Sequence, residues 1–213
     1  MISGYSAILN TRRLAVAPLD LKPRLLALIE REIERTTSEN PGHIMAKMNS
    51  LADPDIIEAL YKASRAGVII QLNVRGICML VPGVPGMSEY ISVVSIIDRY
   101  LEHTRIFWFS NGGSDELYLS SADWMPRNLD RRVELMFPIL QENIKKNICE
   151  ILRLYFQDNT KAHYLMPDGI WKRRTPSKNE KKIRCQEVLH NKEKKRKELY
   201  EKNPEREFII RRL

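Results

Sequence analysis

Residues 43–74 have the sequence HIMAKMNSLADPDIIEALYKASRAGVIIQLNV, and this stretch decides the fold. Its first seven residues alternate in polarity and its last seven are rich in β-branched residues, so both ends have the length and character of strands. Between them, Asp53 followed by Pro54 is typical of a helix N-terminus, and Gly67 is typical of its end. The stretch therefore predicts a strand-helix-strand unit, as found in parallel sheets.

Elements of the same two kinds continue on both sides of this unit. Asn111-Gly112-Gly113 lies between two apolar runs and predicts a hairpin. Strands alternating with helices predict an α/β domain with a mixed, mainly parallel central sheet, helices on both faces and an antiparallel hairpin. The further predicted strands are 13–18, 106–109, 116–119 and 133–138, and the further predicted helices are 22–36, 91–100, 142–156 and a short one at 181–201.

Length and composition are those of one folded domain with an appendage. The chain has 213 residues, of which 43% are apolar and 29% are charged, close to the averages of globular proteins. We expect one domain over residues 1–171 and a basic, partly helical tail over residues 172–213. Three cysteines without CxxC spacing argue against a disulfide framework and a zinc site. No run of about 18 uncharged apolar residues and no signal peptide occur, so we expect a cytoplasmic protein.

The positive charge is concentrated in the predicted tail. The chain carries a net charge of +8, yet residues 172–213 hold 16 Lys/Arg against 7 Asp/Glu, so the rest is nearly neutral. A basic tail attracts polyanions by long-range attraction and counterion release. Charge alone leaves nucleic acid, anionic lipid and polyphosphate open as partners, and with them an association at a membrane surface.

Five stretches in the middle of the chain carry a resemblance to a known family. In this order they resemble polyphosphate kinase, in its last, phospholipase-D-like domain, and a weaker likeness extends over 13–33 and 171–186. The stretches are KMNSLAD (47–53), LYKAS (60–64), VRGIC (74–78), SIIDRYLEH (95–103) and SSADWMPRN (120–128).

The resemblance implies a fold, a reaction and partners. Enzymes of this family have two phospholipase-D-like halves that face a shared tunnel, and they transfer the terminal phosphate of ATP reversibly to polyphosphate with Mg²⁺. A histidine of the first half becomes phosphorylated, and its motif is not found in this chain. We therefore expect that the partners are ATP or ADP, polyphosphate and the other part of the enzyme, and that no specific nucleic acid is bound. The full-length enzyme is expected to form homo-oligomers. The Mg²⁺ ligands are expected in the other half, and the chain alone is expected to be inactive.

Arg75 and His103 are the predicted nucleotide-binding residues. Arg75 follows a predicted strand at the carboxyl end where α/β sheets bind ligands, and its guanidinium can grip two phosphate oxygens. His103 can donate a hydrogen bond, carry charge near neutral pH or act as an acid or base. The resemblance implies that both contact the nucleotide. The alternatives are a surface arginine and a histidine that caps the predicted helix at 91–100.

His103 and Arg105 are the predicted catalytic residues, because the resemblance makes residues 103–105 the counterpart of the histidine motif of the first half. Arg105 would line the tunnel, unless it is solvated. Three further residues are candidates. Asp123 would orient His103 or lie near a metal, unless it only forms a turn. Lys47 and Asn49 would contact phosphate, unless they are the polar face of a strand. No metal ligands are predicted within the chain.

Two other functions are open from the sequence. A phospholipase-D-like phosphodiesterase also uses paired halves with histidines, but its motif has lysine where this chain has Arg105, and no matching Asp follows. A non-catalytic module could bind polyanions through the tail at 172–213 without performing chemistry.

Overall fold

The structure, a computed structural model, describes residues 11–202. Residues 1–10 and 203–213, which include the end of the predicted tail, lie outside the described residues. The α-helices are α1 (Leu21–Arg35), α2 (Pro54–Arg65), α3 (Glu142–Gln157) and α4 (Cys185–Lys202), and short 3-10 and π-helical turns lie at Asn111–Gly113 and Arg127–Arg131. The strands are β1 (Ala15–Ala17), β2 (His43–Met48), β3 (Ile69–Val74), β4 (Ile91–Ile96), β5 (Ile106–Phe109), β6 (Glu116–Ser120), β7 (Glu134–Pro138), β8 (Ala162–Leu165) and β9 (Trp171–Arg173).

The strands form one mixed sheet, as the sequence predicts. Over residues 11–202 its nine strands have the order β1-β7-β6-β5-β2-β3-β4-β8-β9. The expectation of a mainly parallel sheet is wrong, because β2 pairs in parallel with β3 and β3 with β4, whereas the other six pairings are antiparallel. Short connections such as those between β5 and β6 can join only antiparallel neighbours. The parallel character is confined to the centre of the sheet.

The local signals of α2 are confirmed. The side chain of Asp53 accepts a hydrogen bond from the backbone N–H of Ile56 at 3.1 Å, and Pro54 occupies the first helical position. Gly67 follows the helix with a φ of +91°, a left-handed conformation that favours glycine. The loop between β5 and β6 likewise contains Gly112 with a φ of +63°, at the predicted hairpin.

The predicted helix at 91–100 is wrong. Residues Ile91–Ile96 form β4, which is parallel to β3, and residues 97–105 form an irregular loop. Ile91 and Val93 pack in the main core, and Ile96 packs in another cluster on the opposite face. A strand buried on both faces is apolar almost throughout, so its pattern resembles that of a buried helix.

Helices cover both faces of the sheet, which confirms that prediction. Side chains of β2 alternate between the faces: Ile44 and Met48 lie in the core with α1 and α2, whereas Met45 packs with Leu152 of α3. None of the helices that the structure describes is long and apolar enough to cross a membrane.

The beginning of the predicted tail lies within the packed structure. Strand β9 includes position 171 and pairs with β8, which in turn pairs with β4. Cys185 and Gln186, in the first turn of α4, are buried, and Cys185 belongs to a cluster with Tyr155 and Ala162. The later turns of α4 are exposed and highly charged. Sequence reasoning missed β8 and β9, which are short strands at the edge of the sheet.

Candidate functional site

The predicted site residues gather where the central parallel strands end. The register pairs Lys47 with Asn73 and Met48 with Val74, so Asn49 and Arg75 follow the two strands side by side. The end of β4 lies at the same edge, and so does the start of β5, because Ile106 pairs with Lys47. Ligands of open α/β sheets bind at this edge.

Three polar side-chain atoms at this edge are buried without a partner. Asn49 Oδ1, Asn73 Nδ2 and Arg75 Nε find no hydrogen-bond partner among residues 11–202. A buried polar group that lacks a partner costs about 1–3 kcal/mol, and most such groups in proteins are satisfied. Three such atoms at adjacent strand ends mark a place where a group outside these residues completes the hydrogen bonding.

Asp123 holds the edge together through four accepted hydrogen bonds. Its Oδ1 accepts from the backbone N–H of Asn49 at 2.7 Å and of Ser50 at 3.2 Å. Arg105 donates from Nε to Oδ1 at 3.0 Å and from Nη2 to Oδ2 at 2.9 Å. The carboxylate therefore orients Arg105, and the remaining Nη1 donates to the carbonyl oxygen of His103 at 2.8 Å.

Lys47 is paired inside the protein. Only 3% of the residue is exposed, its Nζ lies 3.1 Å from Glu102 Oε2, and the Tyr155 ring centroid lies 4.7 Å away. Burial lowers the pKa of Lys47, while the Glu102 carboxylate acts in the opposite direction and Arg75 lowers it further. Lys47 pairs in register with Asn73, two residues before Arg75, so two cations lie near one another at this edge.

The loop at 97–105 carries His103 and is fastened to α4. Gln186 accepts a hydrogen bond from the Tyr100 N–H and donates to the Tyr100 carbonyl and to Glu102 Oε1, each at 2.8 Å. His103, the next residue after Glu102, is exposed. The interpretation of His103 as a helix cap is wrong, because residues 91–96 form a strand and residues 97–105 an irregular loop, so no helix ends at this position.

Gly76 allows the backbones after β2 and β3 to approach closely. Its N–H donates to the Asn49 carbonyl at 2.7 Å. A Cβ at this position would lie 3.0 Å from the same oxygen. The glycine thus permits the contact that sets Arg75 beside Asn49.

Sequence reasoning missed four residues of this edge. Asn73 carried one signal, since it is a polar residue near the end of an apolar strand, and Glu102 is the neighbour of His103. Tyr155 and Gln186 carried no local signal, because they lie in distant helices.

The edge offers no carboxylate cage for Mg²⁺. Over residues 11–202 no group of three or more His, Cys, Asp or Glu side chains is arranged to hold a metal ion. The nearest carboxylates, Asp123 and Glu102, are bound to Arg105 and Lys47. These residues therefore do not fit a role as Mg²⁺ ligands.

Comparisons with known sequences agree on one family. Residues 14–186 match the profile of the family "Polyphosphate kinase C-terminal domain 2". The polyphosphate kinase of Rhodopirellula baltica is 52% identical over 190 residues, which are 89% of this chain and 22% of that protein. The polyphosphate kinase of Pseudomonas aeruginosa is 50% identical over 186 residues, 87% of this chain and 27% of that protein. The chain spans about a quarter of the length of these relatives.

Solved structures show the same relationship. Polyphosphate kinase from Porphyromonas gingivalis superposes with a TM-score of 0.83 and 42% identity, over 88% of this chain and 28% of that one. The phospholipase D family member Nuc from Salmonella typhimurium has a TM-score of 0.51 and 13% identity, over 76% of this chain and 97% of that one. The second likeness concerns the fold alone, and it confirms the predicted phospholipase-D-like architecture.

Proposed function

The chain belongs to the polyphosphate kinase family, and from this premise we propose that it binds the phosphate groups of ATP or ADP through Arg75 and His103. The observation that carries the proposal is the pair of unpartnered hydrogen-bond donors at one strand edge, Asn73 Nδ2 and Arg75 Nε. Phosphate oxygens accept hydrogen bonds from guanidinium and amide N–H groups, and such charge-assisted bonds are among the stronger ones in proteins. A bound phosphate would therefore satisfy the donors of Asn73 and Arg75.

The residues of the edge would have different roles in phosphoryl transfer. This reaction depends mainly on positioning and on neutralising charge that spreads over the phosphate oxygens. The guanidinium of Arg75 would neutralise this charge and bind two phosphate oxygens. The exposed imidazole of His103 would donate a hydrogen bond or move a proton at an oxygen of the transferred group. Arg105, fixed by Asp123, would act chiefly by holding the backbone of His103 in place.

The reaction we propose is reversible transfer of the terminal phosphate of ATP to polyphosphate. The relatives are about four times as long as the matched region, so we propose that this chain contributes one half of the site. The phosphohistidine and the Mg²⁺ ligands would come from the other half, with Mg²⁺ neutralising phosphate charge when bound.

Exposed apolar side chains around the edge support an incomplete site. Ile77 and Met79 follow β3, and Ile97 and Leu101 lie in the loop after β4; each is more than half exposed. Several exposed apolar side chains after adjacent strands are consistent with a surface that another part of the protein covers. The other half of the enzyme would cover these side chains and close the site from water.

Calorimetric titration of ATP with Mg²⁺ tests the proposal on the 213-residue chain. We expect weak binding to the wild type, reduced about tenfold or more in Arg75→Ala and in His103→Ala, because each loses hydrogen bonds to a charged group. Arg132→Ala, which removes an exposed arginine elsewhere, should bind like the wild type. Thermal melting of each variant separates loss of binding from loss of folding.

Two outcomes would contradict the proposal. One is absence of ATP binding by the folded wild type, and the other is equal binding by wild type and Arg75→Ala. Sustained phosphate transfer by the isolated chain would refute the assignment of only half a site. Hydrolysis of bis(p-nitrophenyl) phosphate would favour a phosphodiesterase instead.

A further inference from the structure

A trough runs along the first turns of α4, outside the edge that carries Arg75. It consists of two adjoining cavities of about 250 Å³ and about 510 Å³. Both are lined by Arg184, Glu187 and Asn191, so they are continuous along the helix. We call these two cavities together the α4 trough.

The trough connects the loop of His103 with the outer edge of the sheet. The smaller cavity is lined by Arg99 and Tyr100, which precede His103 in the same loop. The larger cavity is lined by Lys161 and Arg173, at the β8–β9 hairpin. A linear ligand that left the candidate site past Tyr100 would enter the trough.

The lining of the trough is strongly basic. Lys161, Lys182 and Arg173 line the larger cavity, opposed by the single lining carboxylate of Glu187. Neither lysine makes an ion pair with any of residues 11–202, and the Arg173 guanidinium donates to a backbone carbonyl, that of Thr160, at 3.0 Å. These three cations thus keep their charge available to a ligand.

Arg184 lines both cavities of the trough and is paired with Asp98. Its Nε and Nη2 donate to the two carboxylate oxygens of Asp98 at 2.8 Å and 2.6 Å. This hydrogen bond lowers the pKa of Asp98, although partial burial of the carboxyl acts in the opposite direction. The pair links the start of α4 to the loop after β4, on which Arg99 and Tyr100 of the trough also lie.

We propose that the α4 trough binds a segment of the inorganic polyphosphate chain and guides it away from the site. That the ligand is polyphosphate rests on the proposed function. That it is an elongated anion is inferred from the basic lining and the length of the trough. A polyphosphate chain presents repeated negative charge without bases or side chains, so a row of cations is sufficient to hold it.

The lining favours polyphosphate over a single-stranded nucleic acid. Proteins that bind single strands without sequence preference stack the bases on aromatic side chains. Tyr100 is the one Phe, Tyr or Trp among the residues that line the trough. Its ring stacks on His190 at 6.4 Å, and the guanidinium of Arg99 lies 5.6 Å from its centroid. One such ring is too few to stack the successive bases of a single strand.

Fluorescence anisotropy with end-labelled polyphosphate, repeated over a series of salt concentrations, tests the proposal on the 213-residue chain. The trough variant is Lys161→Gln with Lys182→Gln. The matched control is Lys194→Gln with Lys195→Gln, which removes the same charge from exposed positions further along α4. We expect about tenfold weaker binding for the trough variant, and a salt dependence reduced by about two released ions. The control should stay within about twofold of the wild type.

Three results would overturn the proposal. Equal affinities of the trough variant and the control would mean that charge anywhere on α4 suffices. An unchanged salt dependence of the trough variant would mean that the two lysines do not meet the chain. Equally tight binding of a single-stranded DNA of the same charge would make the trough a general polyanion surface.

The outcome is separable from that of the proposed function. Arg75→Ala should lose ATP in the calorimeter and keep polyphosphate in the anisotropy assay, and the trough variant should do the reverse. Loss of polyphosphate binding in Arg75→Ala alone would place the chain at the strand edge and refute the trough. Unchanged melting temperatures are expected for both lysine variants, since these side chains make no ion pair within the described residues.

Discussion

Replacing Asp123 by Asn should cost the protein about 3 kcal/mol of its free energy of unfolding. Asp123 is 5% exposed, and its carboxylate accepts four hydrogen bonds, two from Arg105 and two from the backbone after β2. Breaking a buried ion pair by removing one partner costs about 3–5 kcal/mol. The Arg105 side chain is 16% exposed, so water can solvate part of its charge when the carboxylate is gone. Asparagine also retains one acceptor oxygen. Both effects place the expected loss at the lower end of that range.

Urea unfolding at neutral pH measures this effect as a change in midpoint with an unchanged slope. Glu58→Gln is the matched control, because it removes a carboxylate from an exposed pair with Arg65 at 3.1 Å. Exposed pairs of this kind contribute about 0–1 kcal/mol. Asp123→Asn within about 0.5 kcal/mol of the control would refute the assignment of Asp123 as the organiser of this edge.

A double variant tests the cause of the loss. The double variant Asp123→Asn with Arg105→Met also removes the guanidinium that Asp123→Asn alone leaves buried without a charged partner. We expect the double variant to be no less stable than Asp123→Asn alone, because coupled residues are not additive. Additive losses would mean that the two side chains act independently.

Three further predictions concern pH and close packing. Burial lowers the pKa of His43, so the unfolded chain binds a proton more readily than the folded one, and the free energy of unfolding should fall as pH drops through about 6.5. Urea midpoints on either side of that pH should show this fall in the wild type and a smaller one in His43→Gln. Burial would raise the pKa of Asp158, but N–H groups of residues 160, 161 and 185 lower it below its usual range; stability should therefore fall below about pH 4, and acid titrations of Asp158→Asn should show a flatter dependence. Gly76→Ala should cost about 1–3 kcal/mol in thermal unfolding and weaken ATP binding, because its Cβ would press on the Asn49 carbonyl; wild-type binding would contradict the role of this contact.

Local signals allowed α2 and the strand-helix-strand unit to be predicted from the sequence. Asp53, Pro54 and Gly67 each act within a few residues, and their conformations can be read without tertiary contacts. Strand β4 could not be identified in this way, because burial on both faces removes the alternation that distinguishes a strand from a helix. The short edge strands β8 and β9 depend on pairing with distant strands.

The candidate site was predictable only where side chains follow a strand. Arg75 was found because the end of a parallel strand is a place with known chemistry. The pairing of Asp123 with Arg105, and of Lys47 with Glu102, depends on contacts across 18 and 55 residues that no local pattern encodes. The sequence resemblance pointed to the same edge, but it did not tell which polar side chains pair with one another and which lack a partner.

The contact of Gln186 with the Tyr100 backbone links the opening motions of two distant segments. The two residues are separated by 86 positions and share two hydrogen bonds at 2.8 Å. Amide protons exchange with solvent when the structure around them opens, and segments that open together share a free energy of opening. The Tyr100 amide should therefore exchange at the rate of the first turn of α4, so that the order of the histidine loop is set by how firmly the C-terminal helix is docked.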